Sequence, residues 1–372
     1  MSRKLITIST IMTLMSTSVI ADVPNVAADI APIHSLVSRV MDGVGVPKLI
    51  VQSGASPHGY RLRPSEAKAL QDADHVFWMG EELTPWLDSA IGTLASKASV
   101  TTLLDQQGVI LHDFREGALF EAHDHSAHGD DDHDDHDDHD DHDDHKDHDD
   151  HDDHKDHDDH DDHKDHDDHD DHKDHDDHDD HKDHDDHDDH DDHKDHDDHD
   201  DHGSHDPHAW LSPENAKLWL NIIASKLSVS DPENAATYFM NAAAGQAEIE
   251  AMIAEVSATL KPVQGGKFVV FHDAYQYFEN DFDFYASGAI SLGDSSDPSP
   301  ARIEKVQKRI RDEGIQCVLA EPQFKKGLVA TVMEGSDATA SVIDPLGAEL
   351  ETGPKLYTRL IKNMAKTLRN CL

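Results

Sequence analysis

Short apolar runs alternate along this chain with longer stretches in which apolar residues recur every three or four positions. Runs of the first kind read as strands, and stretches of the second kind read as helices lying on a core. Up to residue 121 the pattern predicts strands at 25–30, 48–52 and 75–79 and helices at 32–41, 64–73 and 84–94. In the first of these helices Ile33, Leu36, Val37 and Val40 share one face. The alternation resumes after residue 206. Ser212 before Pro213 is a helix start, with a hydroxyl to cap free amides and a proline where no amide is needed, and the helix runs to about Leu227. Asp231-Pro232 repeats that signal and opens a long helix to about Leu260, with Ala235, Phe239, Ala242, Gln246, Ile249, Ile253, Val256 and Leu260 at three/four spacing. At 1.5 Å per residue it spans roughly 45 Å, more than the width of a small domain, so it is able to bridge two lobes. Strands at 267–271, 284–290, 316–320 and 338–343 and helices at 273–280, 300–312, 325–333 and 354–368 complete the pattern.

Strand–helix alternation builds parallel sheets covered by helices. The fold class expected is therefore α/β, with two lobes joined by the long helix. The divisions that follow are a signal peptide at 1–21, a first lobe at 22–231, the linking helix at 232–261 and a second lobe at 262–372.

Composition changes the picture between residues 122 and 206. From Asp130 to His202 every residue is Asp, His or Lys, with 43 Asp, 24 His and 6 Lys in 73 positions. The unit is His-Asp-Asp, with Lys replacing an Asp at intervals, as in His145-Lys146-Asp147-His148. No apolar residue interrupts it, so nothing offsets the entropy of ordering the backbone, and the tract is expected to be disordered without metal. It is an insertion within the first lobe. The tract carries −37 of the chain's net charge of −48, which leaves −11 for the remainder. An acidic chain of this kind has no basic patch for nucleic acid, and the tract would repel a phosphate backbone.

The N-terminus has the layout of an exported protein. Arg3 and Lys4 precede an apolar stretch from Leu5 to Ile20, and Val19-Ile20-Ala21 offers a cleavage point before Asp22. The stretch is short for a membrane span, although an uncleaved anchor is the alternative reading. No Cys lies at the cleavage point to take a lipid, so a periplasmic location is expected. Cys317 and Cys371 are the only cysteines. In an oxidising compartment two thiols that fold close together pair, and otherwise they remain as two buried free thiols.

In open α/β sheets ligands bind beyond the carboxyl ends of the strands. Four metal-ligand residues follow predicted strands or open a capped helix. His58 ends Gly54-Ala55-Ser56-Pro57-His58, and His208 lies in Asp206-Pro207-His208-Ala209-Trp210. His272 follows Phe268-Val269-Val270-Phe271, and Asp344 follows Ser341-Val342-Ile343. Three imidazoles with at most one carboxylate suit Zn²⁺ in a four-coordinate site, whereas Mn²⁺ or Ca²⁺ asks for more oxygen. Taken alone, each His has a bland reading as a surface or capping residue, and Asp344-Pro345 reads as a turn opener. Gly54 and Gly59 flank the first ligand and are expected to allow its turn. Trp210 and Tyr275 read as buried packing near the site. Glu321 reads either as a residue of the cleft rim or as a cap on the next helix.

With Arg61-Leu62-Arg63-Pro64-Ser65, Val270-Phe271-His272-Asp273-Ala274-Tyr275, Ala320-Glu321-Pro322-Gln323-Phe324 and Ile343-Asp344-Pro345-Leu346-Gly347, these segments resemble the zinc-specific solute-binding proteins of bacterial ABC importers. The resemblance runs in order over essentially the whole mature chain. It implies two α/β lobes joined by a rigid backbone helix, with Zn²⁺ held in the cleft by His58, His208 and His272 and a fourth position filled by a carboxylate or water. It also implies a Cys317–Cys371 disulfide, worth on the order of 4 kcal/mol by chain entropy. The partners implied are a membrane permease with its cytoplasmic ATPase, and the chain is expected to act as a monomer. Manganese-binding relatives tend to carry Glu where this chain has His272, which favours zinc. Some zinc members have an acidic residue just before the first ligand, whereas this chain has Pro57, leaving Asp344 or water for the fourth position.

Two other classes, and one competitor within the same class, share some of these features. A zinc hydrolase also uses three His and an open position, but no HExxH helix or Ser-His-Asp set accompanies them. A surface adhesin or metal store fits less well with export lacking a lipid anchor. A manganese or iron carrier of the same fold is the nearest competitor. The tract itself should bind further zinc weakly, because imidazole must lose its proton to bind and the surrounding Asp favour the protonated ring. Deleting residues 130–202 is therefore expected to lower the zinc stoichiometry seen by calorimetric titration while leaving one tight site; an unchanged stoichiometry would remove the tract from metal binding.

Overall fold

The computed structural model describes residues 23–115, 120, 205–291, 293, 298–324 and 326–372. The predicted signal peptide and nearly all of the His/Asp insertion lie outside the described residues. Two sheets form, each of four parallel strands. The first contains β1 (Val26–Ala28), β2 (Lys48–Leu49), β3 (His75–Trp78) and β4 (Ser99–Thr102) in the order β2-β1-β3-β4. The second contains β5 (Phe268–His272), β6 (Ala289–Ser291), β7 (Cys317–Ala320) and β8 (Thr339–Val342) in the order β6-β5-β7-β8. In register, Ala28 faces Leu49 and Phe77, and Val270 faces Ala289 and Leu319. The helices among the described residues are α1 (Ala31–Val40), α2 (Pro64–Gln71), α3 (Pro85–Leu94), α4 (Pro213–Ser230), α5 (Ala235–Leu260), α6 (Gln276–Phe282), α7 (Pro300–Glu313), α8 (Lys326–Met333) and α9 (Leu356–Cys371). No helix among the described residues is long and apolar enough to cross a membrane.

The period-two alternation of the strands sorts side chains into two layers. Ala27, Val76 and Trp78 point outward and pack with Leu70 of α2 and Leu87 and Ile91 of α3. Val269, Phe271 and Val318 do the same in the second sheet, against Val306 and Ile310 of α7 and Val329 and Val332 of α8. The opposite faces, with Val26, Ala28 and Phe77 on one sheet and Phe268, Val270 and Leu319 on the other, belong to a single continuous core. Buried residues of α1, α4, α5 and α9 fill that shared layer. Helix α5 packs against α1, α4 and α9 and so reaches both halves of the chain.

Most predicted elements form within a few residues of their expected bounds, and the exceptions have causes. Helix α5 starts at Ala235 rather than at Pro232, so its 26 residues extend about 39 Å. Asp231 does not cap it; its carboxylate instead accepts the Tyr238 hydroxyl at 2.7 Å and the Asn234 amide at 2.8 Å. The strand expected at 284–290 shrinks to Ala289–Ser291, because Asp283 takes a left-handed φ of 50° and Phe284 and Ala286 turn into the core. The helix expected from 273 begins at Gln276. Strand β4 was not predicted. Ser212 caps α4 as expected, accepting from the Asn215 amide, and Cys317 and Cys371 form a disulfide with Cα atoms 5.6 Å apart.

In each sheet the first strand in sequence sits between the second and the third, so the connections diverge and a crevice opens at the carboxyl ends of the two central strands. In the first sheet that crevice is plugged by Asp29, fully buried, whose carboxylate accepts the amides of Ile30 and Met79 at 2.7 Å each. Its backbone carbonyl accepts from Val51, which ties the end of β2 to β1. Burial pushes the Asp29 carboxyl up to about 7 against the pull of those amides. A carboxyl raised in the folded state favours folding when protonated. Its contribution is complete below the unfolded value near 3.8 and is lost as pH climbs through about 7. Denaturant unfolding of the wild type should therefore show stability falling by a few kcal/mol across that window, with a flatter profile in Asp29→Asn.

Candidate metal centre

Strand β5 ends at His272, and the neighbouring strand β7 delivers Glu321 one residue past its end. Both side chains are buried, and the Glu321 Oε1 lies 2.6 Å from the His272 Nδ1. His208 enters from the segment before α4. It sits two residues after Asp206, whose Oδ1 accepts the His208 backbone amide at 3.0 Å and lies 2.6 Å from its ring Nδ1. The two rings face each other through their remaining nitrogens, with Nε2 to Nε2 at 3.4 Å and ring centres 5.2 Å apart. The half-buried His58 completes the group, its ring centre 5.6 Å from that of His208.

Each of these segments is held from outside. The Trp86 indole of α3 donates to the Pro57 carbonyl at 2.7 Å, fixing the loop that carries His58. Gly54 takes the left-handed φ of +83° that this loop needs; Gly59 does not. The Trp210 indole donates to the Pro345 carbonyl at 2.8 Å, and the Tyr357 hydroxyl of α9 donates to the Trp210 carbonyl at 3.0 Å. Trp210 thus packs as expected and also joins the His208 segment to the loop after β8. Tyr275 is buried beside His272, with ring centres 6.2 Å apart.

Asp344 follows β8 as expected, but its carboxylate is largely taken up by its own turn. Oδ1 accepts the amides of Leu346 and Gly347, and Oδ2 accepts that of Ala348 at 2.6 Å. Asp344 and Glu321 line one groove of about 1120 Å³ beside β8. The structure thus brings His58, His208 and His272 together and leaves Asp344 serving its loop. Among the described residues no three His, Cys, Asp or Glu side chains are already drawn into a closed metal cage.

A second layer of charge lies behind the histidines. Arg115 donates to both carboxylate oxygens of Asp273 and, through Nη1 at 2.6 Å, to Glu279, while its guanidinium stacks 3.6 Å above the Phe120 ring. Burial pushes the Asp273 and Glu279 carboxyls up, and Arg115 opposes the shift. Burial also works against the charge on Arg115, but Glu279 and Asp273 hold it above its ordinary value.

Sequence reasoning did not find this layer. Asp206 carried a readable signal in its Asp-Pro-His spacing, which lets the carboxylate fold back on the ring. Glu321 reaches His272 from the end of β7, a contact that depends on β7 lying beside β5, which no local pattern reveals. Arg115→Met leaves two buried carboxyls without their cation and should cost about 3–5 kcal/mol in denaturant unfolding, with part of that loss recovered by adding Glu279→Gln.

The family model described as "Zinc-uptake complex component A periplasmic" matches residues 26–371. The chain is 44% identical over 347 residues to the high-affinity zinc uptake system protein ZnuA of Brucella abortus, covering 93% of this chain and 91% of that protein. It is 40% identical over 353 residues to the protein of the same name from Paracoccus denitrificans, covering 95% and 93%. Among solved structures, a crystal structure of ZnuA superposes with a TM-score of 0.61 at 18% identity, over 93% of this chain and 100% of that one, which speaks for the fold.

Proposed function

The chain belongs to the family of periplasmic zinc-uptake components, and from that premise we propose that it captures Zn²⁺ with His58, His208 and His272 in a cleft between its two α/β lobes and delivers the ion to an ABC permease for import. Proteins of this family are solute-binding transport components rather than enzymes, and zinc is their ligand.

One observation carries the ligand assignment. On a tetrahedral Zn²⁺ with nitrogens at about 2.0–2.1 Å, two imidazoles have their donor atoms about 3.3 Å apart and their ring centres about 5 Å apart. His208 and His272 stand at 3.4 and 5.2 Å, and the ring centres of His58 and His208 at 5.6 Å. The pair is spaced as two corners of one coordination tetrahedron, and His58 lies within reach of a third. Oδ2 of Asp344, with one amide on it, or a water fills the fourth position. A shell of three neutral nitrogens favours zinc over manganese, which draws oxygen donors.

The single core shared by both sheets makes capture and release a matter of small displacements rather than wide lobe closure. His58 is the ligand best placed to move, being the least buried of the three and carried on a loop. The partners are the permease and its ATPase, the protein works as a monomer in the periplasm, and residues 1–21 serve as its export signal. The 122–206 insertion adds weaker zinc sites, and α5 joins the lobes divided at 22–231 and 262–372.

Replacing His58, His208 or His272 by Ala should each weaken Zn²⁺ binding by about 100-fold or more, equivalent to ~2.7 kcal/mol, in titrations against a chelator strong enough to strip weak sites. Asp344→Asn should cost less than any of them. Native affinity in the three Ala variants, or a preference for Mn²⁺ over Zn²⁺ in direct competition, would defeat the reading. A strain without the gene should grow poorly only when zinc is scarce.

A further inference from the structure

We infer that Asp206 and Glu321 are the positioning residues of this centre, fixing the tautomer and aim of His208 and His272; the inference rests on those two histidines being ligands. A carboxylate only accepts, so each ring must place its proton on the Nδ1 that faces it. That leaves the Nε2 of both rings as acceptor nitrogens, 3.4 Å apart. The two contacts are equal at 2.6 Å, although one carboxylate comes from a loop two residues before its histidine and the other from an adjacent strand, 49 residues away in sequence. Two unrelated pieces of backbone thus supply the same device.

Each carboxylate is itself held. Asp206 Oδ1 also accepts the His208 amide, and the Gln276 side chain, oriented to satisfy its partners, donates to Oδ2 at 3.2 Å. Glu321 Oε2 accepts the Gln323 amide at 2.7 Å. Asp206 and Glu321 are 2% and 3% exposed, so water is a poor competitor for the ring protons. Neither carboxylate is free to become a ligand without releasing its imidazole. The shell therefore remains nitrogen-rich, while two negative charges offset the dication from one ring's width away. That arrangement raises the basicity of the donor nitrogens and withholds the oxygen donors that a harder cation would need.

The test uses the full-length protein and four variants: Asp206→Ala, Asp206→Asn, Glu321→Ala and Glu321→Gln. Chelator competition should show a 10–100-fold loss of Zn²⁺ affinity in each Ala variant and a smaller loss in each amide variant, whose carbonyl still accepts the ring proton. In the metal-free protein, the low-field Nδ1–H proton resonances of His208 and His272 should disappear one at a time in the matching Ala variants and persist in the amide variants. Ala variants that keep both resonance and affinity would overturn the inference, as would amide variants as impaired as the Ala ones. If an Ala variant does not fold, its amide partner decides: loss of the Nδ1–H resonance there counts against the role. His272→Ala, run alongside, separates the two readings. Native zinc affinity in that variant sinks the ligand assignment, whereas tight binding lost in His272→Ala but intact in Glu321→Ala sinks the positioning role alone.

Discussion

Two imidazole nitrogens, on His208 and His272, lie 3.4 Å apart in a buried site. Their lone pairs repel unless a proton or a metal cation lies between them. The surroundings are arranged for positive charge: Asp206, Glu321, Asp273 and Glu279 are all buried within or just behind the histidines. Arg115 engages Asp273 and Glu279, so its single charge is already committed. Asp206 and Glu321 stand one behind each ring. Burial of charge is costly unless it is paired, so carboxylates buried beside these rings favour the cation proposed to bind there.

That geometry depends on how the two sheets are joined. Their strand orders are copies of one another, and each opens a crevice at the carboxyl ends of its central strands. In the first sheet Asp29 closes the crevice with two backbone amides, so β1 and β3 end in a locked turn. In the second sheet the equivalent crevice holds His272 from β5 against Glu321 from β7. His58 and His208 must then be brought to it from sequence before α5. The continuous core does this, because inward faces of both sheets and of α1, α4, α5 and α9 pack as one body. The tetrahedral site proposed for these three histidines would benefit from walls that share a core.

What the sequence revealed follows the range of the forces involved. Period-two and three/four patterns report burial of one face, so the alternating strands and helices and both lobes were legible, as was His272 at the end of β5. Family motifs added the disulfide, which the structure contains. Elements decided by tertiary contacts were not legible. Strand β4 forms because β3 offers it an edge, and α6 starts late, after Asp273 has turned to Arg115. Asp231 resembled a helix cap but bonds Tyr238, and Asp344 after β8 gives its carboxylate to three amides of its own loop. Both cases have one cause. A short carboxylate after a helix or strand has several nearby donors, and which of them it takes is settled by packing.

The insertion illustrates the same division between local and distant causes. The described residues on its two sides meet in an antiparallel bridge, Asp113 opposite His205, with the Asp206 amide donating to the His112 carbonyl at 2.8 Å. The His205 ring pairs with Asp113 at 2.9 Å, and the Tyr277 hydroxyl accepts the His112 amide at 3.1 Å while donating to the Asp206 carbonyl at 2.7 Å. Closing a loop costs little more as it lengthens, so once these ends are stitched the fold is nearly indifferent to how much chain lies between them. The stitch also ends at Asp206, the residue that orients His208. Length and composition of the tract are thereby free to vary, while Asp206 and His208, just past its closing bridge, are bound to each other through the Asp206 carboxylate.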